Sequence, residues 1–137
     1  MMENKKLKTY YKQFFSEKKD IFSVIIDDDG SVAYAYLLEG NNIISDLWLY
    51  NSGKTKYEDW ENISEKDLPL QNLDCYIITK IKSITNDNDI DVEWYIEGNS
   101  VKVEIYIHNK LIGILNSTSK VGFNTLVSED TPIAKKI

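Results

Sequence analysis

The chain has 137 residues and a formal net charge of −6, with 22 acidic side chains, 16 lysines and no arginine. This length supports one sizeable hydrophobic core and is too short for two ordinary domains. One cysteine and one histidine exclude an internal disulfide and a zinc site made of Cys and His alone, and the acidic balance argues against a general nucleic-acid binder.

Residues 1–20 predict an N-terminal helix. Its apolar side chains recur at the i, i+3, i+4, i+7, i+8 spacing of one helix face. They are Leu7, Tyr10, Tyr11, Phe14 and Phe15. Lysines interrupt the segment before any signal-peptide core could form, so we expect it to belong to the mature protein. No apolar run is long enough to span a bilayer, and a lone Cys75 suits a reducing compartment, so we expect a cytoplasmic protein.

Residues 21–50 predict the first hairpins. Residues 21–26 are apolar on both faces, which favours a central or doubly covered strand, and Asp29-Gly30 favours a turn. A second two-residue turn at Gly40-Asn41 would pair Leu38 with Ile43 and Tyr34 with Leu47. We interpret Asp27-Asp28-Asp29 as part of the first turn rather than as a cation site, although cation binding there stays open.

An irregular acidic segment, 51–73, separates these hairpins from a second meander, 74–127. In the meander Val92, Trp94 and Ile96 alternate with polar residues, as expected for a sheet with one buried face. A Gly98-Asn99 loop would place Ile96 opposite Val101 and Trp94 opposite Val103. An Asn109-Lys110 loop would place Ile107 opposite Ile112 and Ile105 opposite Ile114. We expect residues 128–137 to form a C-terminal tail.

The predicted fold class is therefore α+β. We expect a single domain, 1–137, with the N-terminal helix packed on a six- to eight-stranded, mainly antiparallel meander sheet. The Glu-Gly-Asn hairpins at 36–51 and 94–109 also align without gaps, either as a repeat or because both follow the same turn rules.

Motifs for metal, phosphate or catalytic chemistry are incomplete. Ser52-Gly53-Lys54-Thr55 lacks the first glycine of a phosphate loop, and Asp87, Asp89 and Asp91 lack the glycine and final acid of a calcium loop. His108 lies on an outward strand position with no nominated nucleophile. We therefore expect no cofactor, no metal and no catalysis, with a weak cation site at residues 87–91 left open.

Charge is the main clue to function. Residues 57–97 contain eleven acids and three lysines, a net charge of −8, together with several aromatic side chains. Aromatic anchors beside carboxylates are typical of an interface for a basic protein. The predicted partner-binding residues are Asp46, Trp48, Tyr50, Tyr57, Glu58, Asp59, Trp60, Glu61, Asp87, Asp89, Asp91, Glu93 and Tyr95.

The stretch DDDGSVAYAYLLEGNNIISDLWLYN (27–51), in an acidic single domain of this size, resembles the small immunity proteins of bacterial polymorphic and contact-dependent toxin systems. The resemblance covers about residues 20–55 together with the overall character of the chain. It implies a cytoplasmic protein that binds a cognate toxin domain, for example a nuclease with a basic cleft, and blocks it without catalysis. No site residue is carried over from the resemblance.

Two other functions remain open. One is a small enzyme or a sugar- or cation-binding domain that uses Asp46, Trp48 and Glu93, which a deep pocket with two or more carboxylates would favour. The other is a regulatory interaction module without a toxin. Neither nucleic acid nor a membrane is an expected partner, and the oligomeric state is left open.

Overall fold

A computed structural model describes residues 9–19, 21–52 and 81–137, and these form two β-sheets. The first sheet has the order β1 (Tyr10–Phe15), β2 (Phe22–Asp28), β3 (Val32–Glu39) and β4 (Asn42–Asn51). The second has the order β5 (Ile90–Glu97), β6 (Ser100–Ile107), β7 (Lys110–Asn116), β8 (Phe123–Asn124) and β9 (Lys135–Lys136). A 3₁₀ turn, Asp87–Asp89, precedes β5. Within the sheets all strand pairs are antiparallel except β8–β9.

The predicted α+β class is wrong, because the described residues contain no α-helix and the predicted helix contains β1. The aromatic pairs at 10–11 and 14–15 fit either structure, since a strand places one member of each pair on each face. Tyr10 and Phe14 pack inward, whereas Tyr11 and Phe15 are 64% and 58% exposed. Pairing with β2 decides the outcome, and aromatic residues favour strands.

The prediction that residues 21–26 form a central strand is confirmed, because β2 lies between β1 and β3. Its inner side chains Val24 and Ile26 are fully buried opposite Leu37 and Ala35 of β3. A strand with neighbours on both sides has its whole backbone paired, so it supplies the rigid centre of the first sheet.

Hairpin registers follow the sequence where turns are regular and depart from it at bulges. The predicted pairs Ile96–Val101 and Trp94–Val103 are confirmed, as is Leu38–Ile43. Tyr34, however, lies opposite Trp48 rather than Leu47, because an irregularity between Leu37 and Leu38 shifts the β3–β4 ladder by one residue. An extra residue at a bulge moves every later side chain to a new partner.

The loop predicted at Asn109-Lys110 is displaced by one residue. His108 and Asn109 form the turn, with φ values of 51° and 66°, so Ile107 lies opposite Lys110 instead of Ile112. Positive φ at both central residues is the geometry of the favoured two-residue hairpin, which Asn adopts readily. A further irregularity after Ile105 places Gly113, not Ile114, opposite that residue.

The two sheets pack face to face around one hydrophobic core. Inner residues of both sheets, including Leu47 and Leu49 of β4 and Ile105 of β6, are completely buried. The sheets approach each other closely at Gly113 of β7, where an added Cβ would lie 2.5 Å from Leu47 Cδ2. Glycine at this position therefore sets how closely β7 approaches β4.

The C-terminal segment covers the free edge of β4. Asp46 N donates to Lys120 O at 2.9 Å, and Gly122 N donates to Asp46 O at 2.8 Å. Trp48 N donates to Ile133 O at 2.9 Å. Residues 128–137 thus pack against the sheet rather than extending as a tail, and Ala134 is fully buried.

On the opposite side, β1 and β5 face each other without pairing, and we call this gap the seam. Side chains bridge it at each end. Tyr10 OH and Lys12 Nζ contact the Asp87 carboxylate at 2.8 and 3.0 Å, and Lys19 Nζ donates to Gly98 O at 3.2 Å. Since β8 pairs with β7, the C-terminal segment links the second sheet to the edge of β4. Within the described residues, the seam has no such strand pairing.

The described residues contain no helix with the length and apolar character needed to cross a membrane.

Candidate protein-binding surface

Alternation along β5 and β6 builds a polar surface on the second sheet, which we call the acidic face. Odd-numbered side chains of β5 point outward, whereas Val92, Trp94 and Ile96 pack against the core. Even-numbered side chains of β6 complete the surface beside them. The acidic face consists of Asp91, Glu93, Tyr95, Glu97, Lys102, Glu104 and Tyr106.

The centre of the acidic face is a tyrosine–carboxylate network. Tyr95 OH lies 3.2 Å from both Glu93 Oε1 and Glu104 Oε1, and Tyr106 OH donates to Glu104 Oε1 at 2.8 Å. The hydrogen bond from Tyr106 is the main reason that the pKa of Glu104 is lowered. The bond to Glu93, and then the bond to Glu104, raise the pKa of Tyr95 to about 12. Glu104 therefore keeps its negative charge, and Tyr95 and Tyr106 keep their phenol protons, near neutral pH.

One lysine lies within this network. Lys102 Nζ is 3.5 Å from Glu104 Oε2 and 4.8 Å from the centroid of the Tyr95 ring. The lysine thus shows that a cation can be held by a carboxylate and a tyrosine ring together. The other carboxylates of the acidic face, at Asp91, Glu93 and Glu97, make no ion pair with a described residue.

Asp87 and Asp89, two of the predicted partner-binding residues, make contacts within the fold. Asp87 bridges the seam, and hydrogen bonds from Lys12 and then Tyr10 lower the pKa of its carboxyl. Asp89 Oδ2 accepts hydrogen bonds from the backbone and the hydroxyl of Thr85, and these lower its pKa. Its side chain also closes a capping box with Asn86. Both carboxylates thus hold the residues that immediately precede β5 in place.

The predicted residues of β4 do not form a surface with those of β5. Asp46 lies on the outer face of the first sheet, where burial raises its pKa, and it is opposite Tyr36. Trp48 and Tyr50 are only 1% and 2% exposed. The irregular β3–β4 ladder also places Tyr50 opposite Ala33, on the inner side, so the expectation that all three share one face is wrong. Trp48 and Tyr50 are core residues.

Tyr50 belongs to a buried polar cluster. Its hydroxyl donates to Asp28 Oδ2 at 2.7 Å and accepts from Ile84 N at 2.9 Å. Asp28 is 1% exposed and also accepts hydrogen bonds from Gly30 N and Ser52 Oγ. Burial is the main reason that the Tyr50 pKa is raised. The cluster holds the Asp-Gly turn, the end of β4 and the segment before β5 together.

The remaining predicted residues, Tyr57, Glu58, Asp59, Trp60 and Glu61, lie outside the described residues, as does Cys75. In contrast, sequence reasoning missed Glu104, Tyr106 and Lys102. The signal was available, because the correctly predicted pairing of Ile96 with Val101 also places Glu93 opposite Glu104 and Tyr95 opposite Lys102.

The carboxylates of the enzyme or sugar-binding alternative do not converge. Asp46 projects from the outer face of the first sheet and Glu93 from the outer face of the second, so the core lies between them. Trp48, the proposed stacking residue, is buried. Within the described ranges no three His, Cys, Asp or Glu side chains cluster closely enough to hold a metal ion.

No family model, curated protein or solved structure matches this chain.

Proposed function

We propose that this protein is an immunity protein that binds and neutralises a cognate toxin domain with a basic surface. The acidic face is the contact surface of this proposal. The observation that carries it is the tyrosine–carboxylate network of Tyr95, Glu104 and Tyr106 on an exposed sheet. The resemblance of residues 27–51 to immunity proteins supplies the class of partner.

The acidic face has the composition of a specific protein interface. Tyrosines provide amphipathic contact area at its centre, and the surrounding carboxylates provide steering and selectivity for a basic partner. Hydrogen bonds hold Tyr95 and Tyr106 in place before binding, which lowers the entropy that the partner must offset. A basic toxin cleft offers the complementary charge.

The partner is tested with the product of the adjacent upstream gene. We expect the two proteins to copurify and to bind in calorimetry, with an affinity that falls as salt rises. No association at low salt would contradict the proposal.

The surface is tested by charge reversal. The double variant Asp91→Lys/Glu93→Lys should weaken binding by at least about tenfold, because it reverses two charges within the contact surface. Glu129→Lys is the matched control, since Glu129 is exposed and lies outside the acidic face. Equal binding by the double variant and the control would place the interface elsewhere.

A further inference from the structure

The edge of β5 that faces the seam has backbone groups that pair with no residue of the ranges 9–19, 21–52 and 81–137. His108 N donates to Asp89 O at 2.7 Å, which fixes which residues form the hydrogen-bonded pairs of the β5–β6 ladder. Bonded and non-bonded pairs alternate in an antiparallel ladder. Asp91, Glu93 and Tyr95 therefore bond to β6. Val92, Trp94 and Ile96 direct their N–H and C=O groups toward the seam.

The edge of β1 faces the same gap. Ser16 N donates to Phe22 O at 3.0 Å, so the even-numbered residues of β1 form the backbone hydrogen bonds to β2. The backbone groups of Tyr11, Gln13 and Phe15 consequently turn toward the seam. No described residue pairs with either edge. Among the described residues, the contacts that bridge the gap are made by side chains, as expected for edges that stand farther apart than the ~4.8 Å between paired strands.

The seam contains a cavity of about 570 Å³, lined by Lys12–Lys18 on one side and by Val92 and Trp94 on the other. Its apolar lining includes Phe14, which packs against the core together with Val92 and Trp94. The cavity therefore combines open strand edges with partly buried apolar side chains, which are the two features that a peptide needs to add to a sheet as a strand.

The charges beside the seam select the occupant. Asp91, Glu93 and Glu97 line the outer side of β5 and are all exposed. On the β1 side, Lys12 forms an ion pair with Asp87, and the other two charged side chains lining the cavity, Glu17 and Lys18, have opposite signs. A strand next to β5 would place alternate side chains over Trp94 and beside Glu93, so apolar and basic residues would alternate along it.

We infer that the toxin partner supplies an extended segment of alternating basic and apolar residues, which enters the seam and pairs with the free edge of β5. This inference rests on the proposed function and specifies how the partner is held. Backbone hydrogen bonds give affinity, and the carboxylates of the acidic face give selectivity for basic side chains.

Amide hydrogen exchange of the full-length protein, free and bound to the upstream gene product, tests this directly. Strand addition should slow exchange at Val92, Trp94 and Ile96 by about tenfold or more, because these amides become hydrogen-bonded. The amides of Asp91, Glu93 and Tyr95 already bond to β6 and serve as the internal reference. Binding without protection at Val92, Trp94 and Ile96 would overturn the inference and leave the proposed function standing.

A proline substitution tests the same edge independently. Val92→Pro removes an N–H that faces the seam, a position where an edge strand tolerates proline. We expect binding to weaken at least about tenfold, whereas Val92→Ala, which keeps the N–H, should stay within about threefold of wild type. Thermal melting verifies the fold, and the exchange experiment needs no variant.

The two proposals fail in different ways. If wild-type protein does not bind the upstream product at low salt, the proposed function fails and the strand pairing fails with it. The other case is that wild type binds and that Val92→Pro folds and binds as well as Val92→Ala. Then only the strand pairing is overturned. In that case the edge carboxylates serve to prevent association between exposed strands, a common role of charges at such edges.

Discussion

Two sheets packed face to face have strand edges along two sides, and in this molecule the two sides differ. Along β4 the C-terminal segment supplies backbone partners, so Asp46 and Trp48 bond to residues 120–133. Along the seam, the contacts between β1 and β5 within the described residues are made by side chains of Tyr10, Lys12 and Lys19. The contrast shows that the described part of the chain closes one edge with backbone hydrogen bonds and leaves the other, beside the acidic face, without a paired strand.

The closed side depends on a buried amide. Asn124 is completely buried, its Nδ2 donates to Trp48 O at 2.8 Å and to Leu49 O at 3.1 Å, and its Oδ1 accepts from Leu126 N at 2.7 Å. The irregularity in the β3–β4 ladder leaves Leu49 without a partner in β3, and the backbone of Trp48 is directed toward the C-terminal segment, where its N–H donates to Ile133 O. The asparagine thus satisfies the acceptors that the irregular strand exposes.

Asn124→Ala should have the largest effect, lowering the free energy of unfolding by about 3 kcal/mol, because buried backbone groups lose their partners. Urea unfolding measures this. Asn116→Ala is the matched control: Asn116 is only partly buried and bonds to exposed Thr118, so we expect a small change. Equal losses in the two variants would show that Asn124 does not hold the closed side. The Trp48 amide should also exchange faster in Asn124→Ala.

Gly122→Ala should come next, at about 2 kcal/mol of destabilisation. A Cβ at this position would lie 2.6 Å from Ile114 O, a backbone atom that cannot move alone. Gly113→Ala is the comparison, because there the nearest atom is Leu47 Cδ2, the end of a side chain. Thermal melting of both variants checks the order, and a larger loss for Gly113→Ala would contradict it.

Tyr50→Phe should destabilise by about 1.5 kcal/mol. The change removes one donor from buried Asp28 and leaves Ile84 N without its acceptor, thereby loosening residues 81–89, which precede β5. Tyr106→Phe provides a surface control, since Tyr106 donates to a partly exposed carboxylate. If Tyr50→Phe and Tyr106→Phe shifted the urea midpoint equally, this result would argue against a structural role for the buried cluster.

Asp87→Asn should have the smallest effect and should depend on pH. Hydrogen bonds from Lys12 and Tyr10 lower the folded-state pKa of Asp87, so its stabilisation is present above the unfolded-state pKa and is lost as pH falls through the folded-state pKa. Urea midpoints of wild type and variant should therefore differ at neutral pH and converge in acid. A difference that grows toward acid would have the wrong sign. Asp91→Asn controls for the loss of charge.

Local rules explain what the sequence could predict. Regular alternation and a two-residue Gly-Asn turn determine the register of β5 and β6, and that register contains most of the acidic face. The doubly apolar run at 21–26 likewise identified a central strand.

Non-local contacts explain what the sequence could not predict. Whether 10–15 forms a helix or a strand depends on β2, and the irregular β3–β4 ladder depends on packing that no local pattern encodes. The association of residues 120–135 with β4 joins parts of the chain about eighty residues apart in sequence, as in the bond from Asn124 to Trp48. Burial of Trp48 and Tyr50 follows from the same contacts.

The closed side also sets the timing of folding during synthesis. The first sheet leaves the ribosome well before residues 113–135, so until then β4 has neither its second-sheet packing nor its edge partners. Leu47 and Leu49, which are fully buried in the finished fold, would be exposed on the nascent chain during that interval. A sheet closed by late, long-range contacts is expected to fold slowly, and its nascent first half is where binding by a chaperone would be most effective.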